Sequence, residues 1–113
     1  MQYHGLMNWT VEFLDETVQA ELDACPVDIQ ARFERIVRLI QSYGLEKVHE
    51  PYVKHLEGRL WEMRMKGKDK IARALYVTVI DRRVVIVRVL IKKTKKTPRR
   101  EIDLALNRAK EVT

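Results

Sequence analysis

Six of the nine residues in Lys92-Lys93-Thr94-Lys95-Lys96-Thr97-Pro98-Arg99-Arg100 are cationic, and none is acidic. The run directly follows an apolar segment and directly precedes one with helical periodicity, so it sets amines at the end of a strand. Three more cations interrupt strand-like segments: Arg64 after Trp61-Glu62-Met63, Arg73 ahead of Ala74-Leu75-Tyr76, and Arg88 within Val84–Ile91. A charge among apolar neighbours in a sheet needs a reason. It has an ion-pair partner (Glu62 or Asp81, for instance), an exposed edge, or a ligand. If Arg64 and Arg73 project from neighbouring strands toward the Lys92 run, the cations converge on one anionic group. Guanidinium forks grip two oxygens at once and ammonium groups act as point charges, which is what phosphate binding requires. Taken alone, the lysine run also fits a solvated basic face.

Other reactive residue types are sparse. There are four glycines, none grouped, so no phosphate-cradling loop exists. Ser42, the sole serine, falls at a helix end. Cys25, the sole cysteine, sits beside Pro26 and reads as a small buried hydrophobe. One cysteine forms no intramolecular disulfide framework and fits a reducing cytoplasm. His4, His49 and His55 match no metal-ligand spacing, so no metal and no other cofactor is expected. His55 is either a proton donor near the basic half or a surface histidine.

The 113 residues make one domain, long enough to bury a core without staples. Lys and Arg number 22 against 16 Asp and Glu, a net charge of +6. The charge is uneven. Residues 1–44 carry three basic and seven acidic groups, a balance of −4; residues 45–113 carry 19 and 9, a balance of +10. A field of that sign attracts a polyanion, either nucleic acid or an acidic protein. At 46% apolar, the chain reads as folded. It has no membrane-length apolar run, and its first residues lack the pattern of a secretory signal.

The elements that must position these cations are legible. Alternation from Met7 to Phe13 predicts a strand. Asp15 is set to cap a short helix carrying Leu14, Val18 and Leu22. Pro26 suits the first turn of a second helix, in which Ile29, Phe33, Ile36, Val37, Ile40 and Tyr43 follow the 3.6 period before Gly44 ends it. Residues 45–58 read as a loop. Strands follow over Leu60–Met65, Ile71–Ile80 and Val84–Ile91, with a tight hairpin at Asp81-Arg82-Arg83. The near-continuous apolar character of the last two predicts central strands covered on both faces. Thr97 is set to cap a last helix with Pro98 at its first position and Ile102, Ala105, Leu106 and Ala109 on one side. The order β-α-α-β-β-β-α predicts an α+β fold: a twisted antiparallel sheet, two N-terminal helices on one face, and a C-terminal helix. The cations are expected on the helix-free side.

Three spaced motifs resemble the RelE/HigB-type toxins of bacterial type II toxin–antitoxin modules, most closely the phage-associated HigB-like branch. They are Lys54-His55-Leu56-Glu57-Gly58-Arg59-Leu60-Trp61-Glu62-Met63-Arg64, then Arg73-Ala74-Leu75-Tyr76, then Lys92-Lys93-Thr94-Lys95-Lys96-Thr97-Pro98. The resemblance covers about half the chain by motif and nearly all of it by element order. It implies a RelE-like fold and an mRNA interferase. Such an enzyme is a small basic endoribonuclease, often acting at the ribosome, that uses the substrate's own 2′-OH as nucleophile and needs no metal.

Carried over by residue, the resemblance implies that Arg64 and Arg73 bind the scissile phosphate. Lys92 or Lys93 then serves the 5′-oxygen leaving group, and Lys54 orients the RNA backbone. Glu62, the nearest carboxylate, either accepts the 2′-OH proton or is salt-bridged to an adjacent arginine. Arg88, Lys95 and Lys96 join the RNA-binding set. The partners implied are mRNA, the ribosome and a cognate antitoxin of helix-turn-helix type. One departure stands out: no Tyr, Trp or Phe follows Tyr76, where the family often has a base-stacking tyrosine, and Trp61 and Tyr76 fit a core. Two alternatives stay open, a non-catalytic RNA- or ribosome-binding module and a basic interaction protein.

Overall fold

A computed structural model of the chain describes residues 2–4, by their backbone, and 9–112. The elements are β1 (Gln2–His4), β2 (Thr10–Phe13), α1 (Glu16–Asp23), α2 (Val27–Tyr43), a 3₁₀ turn at Leu45–Lys47, β3 (Val53–Glu57), β4 (Leu60–Lys66), β5 (Ile71–Val79), β6 (Arg83–Lys92) and α3 (Arg99–Ala109). The fold is α+β, as expected. The strands form one six-stranded sheet in the order β1-β2-β6-β5-β4-β3. Four pairings are antiparallel, but β2 lies parallel to β6, so the sheet is mixed rather than wholly antiparallel. The parallel pairing follows from the route of the chain. After β2 the two helices cross one face, and the β3–β6 meander brings the last strand back beside β2.

Local chemistry explains most boundaries. The Asp15 side chain accepts from the Val18 backbone N–H at 3.1 Å and caps α1. Gly44 ends α2 at φ 85°, a conformation that favours glycine. Asp81 and Arg82 both take left-handed φ values, 68° and 56°, in the β5–β6 turn. Met7 and Asn8 of the expected first strand lie outside the described residues. Within them, that strand is Thr10–Phe13, and β1 pairs antiparallel with it.

Three expectations need correction. Residues 45–58 are not all loop, because Val53–Glu57 form edge strand β3. Only Val53 of that strand is buried, so no alternating pattern marked it. Pro26 and Pro98 stand just outside α2 and α3 rather than in their first turns, and no side chain caps either helix. The Thr97 hydroxyl is instead spent on Glu62. Finally, the sheet has no helix-free face. Val18 and Leu22 of α1 and Ile29, Phe33 and Ile36 of α2 pack with Met63, Met65, Ala72, Ala74, Tyr76 and Ile86. On the other face Ala105 and Ala109 of α3 pack with Leu60, Leu75, Val77, Val85 and Val87. Leu75 and Tyr76 are neighbours that face opposite cores, which is why β5 and β6 read as apolar without alternation. No helix is long and apolar enough to cross a membrane among the described residues.

Candidate nucleic-acid interface

Register decides which side chains can meet. Lys54 of β3 is opposite Glu62 of β4, and Arg64 of β4 is opposite Arg73 of β5. Arg73 is opposite Leu90 of β6, two residues before Lys92. Directly opposed residues, and residues two apart along a strand, share a face. Glu62, Arg64, Arg73 and Lys92 therefore share the face of Leu60, Leu75 and Leu90, which is the α3 face. A row of cations crosses four adjacent strands, about 14 Å at ordinary strand spacing. It lies beyond the N-terminal end of α3, on the part of that face the helix leaves open.

Burial makes this row more than a charged surface. Arg73 is 4% exposed, Lys92 8% and Glu62 2%. Glu62 Oε2 lies 3.4 Å from Arg73 Nη1 and 3.7 Å from Arg64 Nε. Its Oε1 accepts from Thr97 Oγ1 at 2.6 Å. One carboxylate thus faces two guanidinium groups and a nearby ammonium, and positive charge is in excess. Burial, then the Arg73 charge, and further Arg64 and Lys54, push Lys92 below the ordinary lysine range against the opposing pull of Glu62. Arg73 is lowered by burial first and by Arg64, while Glu62 acts the other way; arginine nevertheless keeps its charge at any physiological pH. The buried Nε atoms of Arg64 and Arg73 have no hydrogen-bond partner among the described residues. Buried polar atoms are rarely left so; Arg64 Nε has Glu62 at ion-pair distance instead, and the rest of the Arg64 side chain, 34% exposed, reaches the groove.

The cluster opens into a groove of about 910 Å³. Of the expected residues, Lys54, Arg64, Arg73, Lys92, Lys93, Lys95 and Lys96 line it together. Two others are placed elsewhere. Glu62 lies beneath the arginines with both oxygens engaged, in the salt-bridged alternative. Arg88 is not brought to the groove: its guanidinium pairs with Glu101 at 2.7 Å and Glu21 at 2.8 Å. Sequence reasoning missed Lys66, Tyr52 and Arg32, which also line the groove. Lys66 was legible, since it continues the Glu62/Arg64 alternation. Tyr52 lies in the segment whose pattern predicts a loop, and Arg32 comes from α2, so only tertiary packing brings them in. His55 is exposed at the β3 edge, where its Nε2 is 2.7 Å from the Gly58 carbonyl oxygen. No group of His, Cys, Asp or Glu side chains that could hold a metal occurs among the described residues.

A comparison with curated proteins finds no match. A family model does match, over residues 20–110, a span that runs from α1 to the end of α3 and includes every cation lining the groove. The chain belongs to the phage-derived Gp49-like family (DUF891), a toxin-like family related to the RelE/HigB type.

Proposed function

We propose that the protein is the toxin of a toxin–antitoxin pair and an mRNA interferase, an endoribonuclease acting on mRNA at the ribosome. One observation carries this reading: cations from four adjacent strands and the following loop line a single groove, with the Arg64 and Arg73 guanidinium groups paired to one buried carboxylate. The substrate's 2′-oxygen attacks the adjacent phosphorus as the P–O5′ bond breaks. The products are a 2′,3′-cyclic phosphate and a 5′-hydroxyl. Arg64 and Arg73 bind the non-bridging oxygens, whose charge grows in the transition state, and they are already in place when it does. Lys92 is a buried ammonium that feels the charge of both arginines, and burial eases the loss of its proton. It donates that proton to the departing O5′ and regains one from water. Lys54, Lys93, Lys95 and Lys96 hold the flanking phosphates. Glu62 is too enclosed to take the 2′-OH proton, which leaves to solvent; the role of Glu62 is to position the two arginines.

The partner is a cognate antitoxin that covers the groove with an acidic segment. The experiment is induced expression in bacteria of the wild type, Arg73→Lys and Lys92→Met, with primer extension on total mRNA. Wild type is expected to arrest growth and create new RNA 5′ ends. Each variant should lower cleavage by about 10²- to 10³-fold, the usual effect of losing one preorganised charge donor. Equal growth with intact mRNA sinks the proposal. The engaged state of Glu62 favours a second reading, a non-catalytic RNA- or ribosome-binding module, because the groove then lacks a carboxylate base. That module binds RNA in a salt-sensitive way and yields no cleaved product.

A further inference from the structure

A second groove, of about 770 Å³, opens on the α2 face of the sheet beside the β3 edge. Both tryptophans of the chain, Trp9 and Trp61, line it. Trp61 is 37% exposed, and the His55 ring meets it edge-on with centroids 5.1 Å apart. Tyr76, opposite Trp61 in the β4–β5 register, is buried in the floor. Glu46 and Glu50 are exposed at the rim. An indole standing in solvent beside a cavity is not explained by the core, and the phosphate-binding groove does not use it.

Lys54 connects the two grooves, being the one described residue that lines both. Lys54 and His55 are consecutive in β3, about 3.3 Å apart along the strand, and point to opposite faces. Phosphate-binding and aromatic surfaces are therefore separated by one strand at the sheet's edge. A ligand that suits both is anionic at one end and a flat ring with polar edges at the other. A nucleotide has that form, and single-stranded RNA is commonly held by stacking unpaired bases on aromatic side chains. Carboxylates at the rim accept hydrogen bonds from exocyclic amino groups and ring N–H groups but not from carbonyls, and uracil, with N3–H alone, offers the fewest such donors.

We infer that the Trp61 groove holds an unpaired nucleobase of the RNA whose phosphate lies in the cationic groove, with adenine, cytosine or guanine preferred to uracil. This rests on the phosphate-binding reading of the first groove. The test uses a short 2′-O-methyl RNA, which lacks the attacking hydroxyl and so reports binding without cleavage. Its abasic counterpart has the same phosphates and no bases. Because both tryptophans line the groove, intrinsic emission reports its occupancy. The base-bearing RNA is expected to quench emission, and the abasic chain to bind without doing so. Trp61→Ala should weaken base-bearing RNA by roughly five- to a hundredfold, leave abasic binding unchanged, and be rescued by Trp61→Phe. An oligouridylate is expected to bind less tightly than an oligoadenylate. The inference is overturned alone if both chains bind equally, Trp61→Ala is neutral, and Arg73→Lys still weakens both. It is also overturned if RNA leaves the emission unmoved while an acidic protein partner shifts it. If neither chain binds even at low salt, the phosphate-binding reading falls with it.

Discussion

Thr97 Oγ1 donates to Glu62 Oε1 at 2.6 Å, and this bond ties the loop after β6 to the charged centre of β4. The other Glu62 oxygen faces Arg73 and Arg64. The carboxylate therefore offsets part of the charge of both arginines and positions them side by side. Thr97→Val keeps the shape of the side chain and strands a buried carboxylate oxygen. It is expected to cost about 1–3 kcal/mol in urea denaturation, with Thr97→Ser close to wild type. A valine variant as stable as wild type would show that the hydroxyl contributes nothing.

Lys92 sits where a positive charge is unwelcome. Its folded pKa lies below the unfolded value of 10.5, from burial first and from Arg73 second. A lysine shifted in that direction costs stability at neutral pH, and the cost is relieved as pH rises through the folded pKa toward 10.5. Lys92→Met, of similar length, should thus be at least as stable as wild type at neutral pH while losing cleavage. Between about pH 7 and about pH 10, wild type should gain stability relative to this variant. A Met variant clearly less stable at neutral pH would show that the ammonium is satisfied in the fold.

Much of this arrangement was legible in the sequence because register and period are local. Lys54, Arg64, Arg73 and Lys92 lie in spaced motifs, and period-two alternation sets Glu62 and Arg64 on one side of β4. What escaped depends on contacts between distant segments. Strand β3 has too little buried surface to print a pattern, and its exposed edge is also where the two grooves meet. Arg88 drew notice as a charge within an apolar strand. Its partners, though, are 67 residues earlier and 13 later, on helices whose docking no local pattern encodes. The face that carries the cations depends on the same kind of contact. Nothing in α3 alone says which side of the sheet it will cover.

Salt dependence measures how many groove cations meet phosphates. Binding of single-stranded RNA releases counterions, so log affinity falls against log salt with a slope of about −0.7 per phosphate contact. Four contacts, from Lys54, Arg64, Arg73 and Lys92, give a slope near −3 by that rule, and the outer lysines take it toward about −5. Replacing Lys95 and Lys96 by alanine should flatten the slope by about 1.4 and leave folding intact, since both are exposed. Anisotropy titrations of an uncleavable RNA at several salt concentrations read this directly. A wild-type slope shallower than about −1 is incompatible with a row of phosphate contacts.

The Arg88 cluster makes a separate prediction about stability. Between Leu75 and Tyr76 the β5–β6 register shifts, leaving Val87 as an extra residue in β6. Because β2 pairs only with Arg83–Ile86, the rest of that β6 edge has no strand beside it. Side chains take its place: Arg108 Nη1 donates to the Val87 carbonyl at 2.9 Å, and the Val89 N–H donates to Glu21 at 3.0 Å. Glu101 closes the cluster by accepting from Arg88 Nε at 2.7 Å, and that bond holds the Glu101 carboxyl below the usual range. A carboxylate shifted in this direction contributes stability that is fully present above its unfolded pKa. That contribution is lost as pH falls through the folded value. Wild type should therefore lose stability from about pH 5 downward, with Glu101→Gln showing less of this loss. At neutral pH Glu101→Gln is expected to cost about 1–3 kcal/mol, because Arg88 loses a charged partner in a partly buried place. Parallel curves for the two proteins across the acid range would show that the Arg88–Glu101 pair does not hold the bulge.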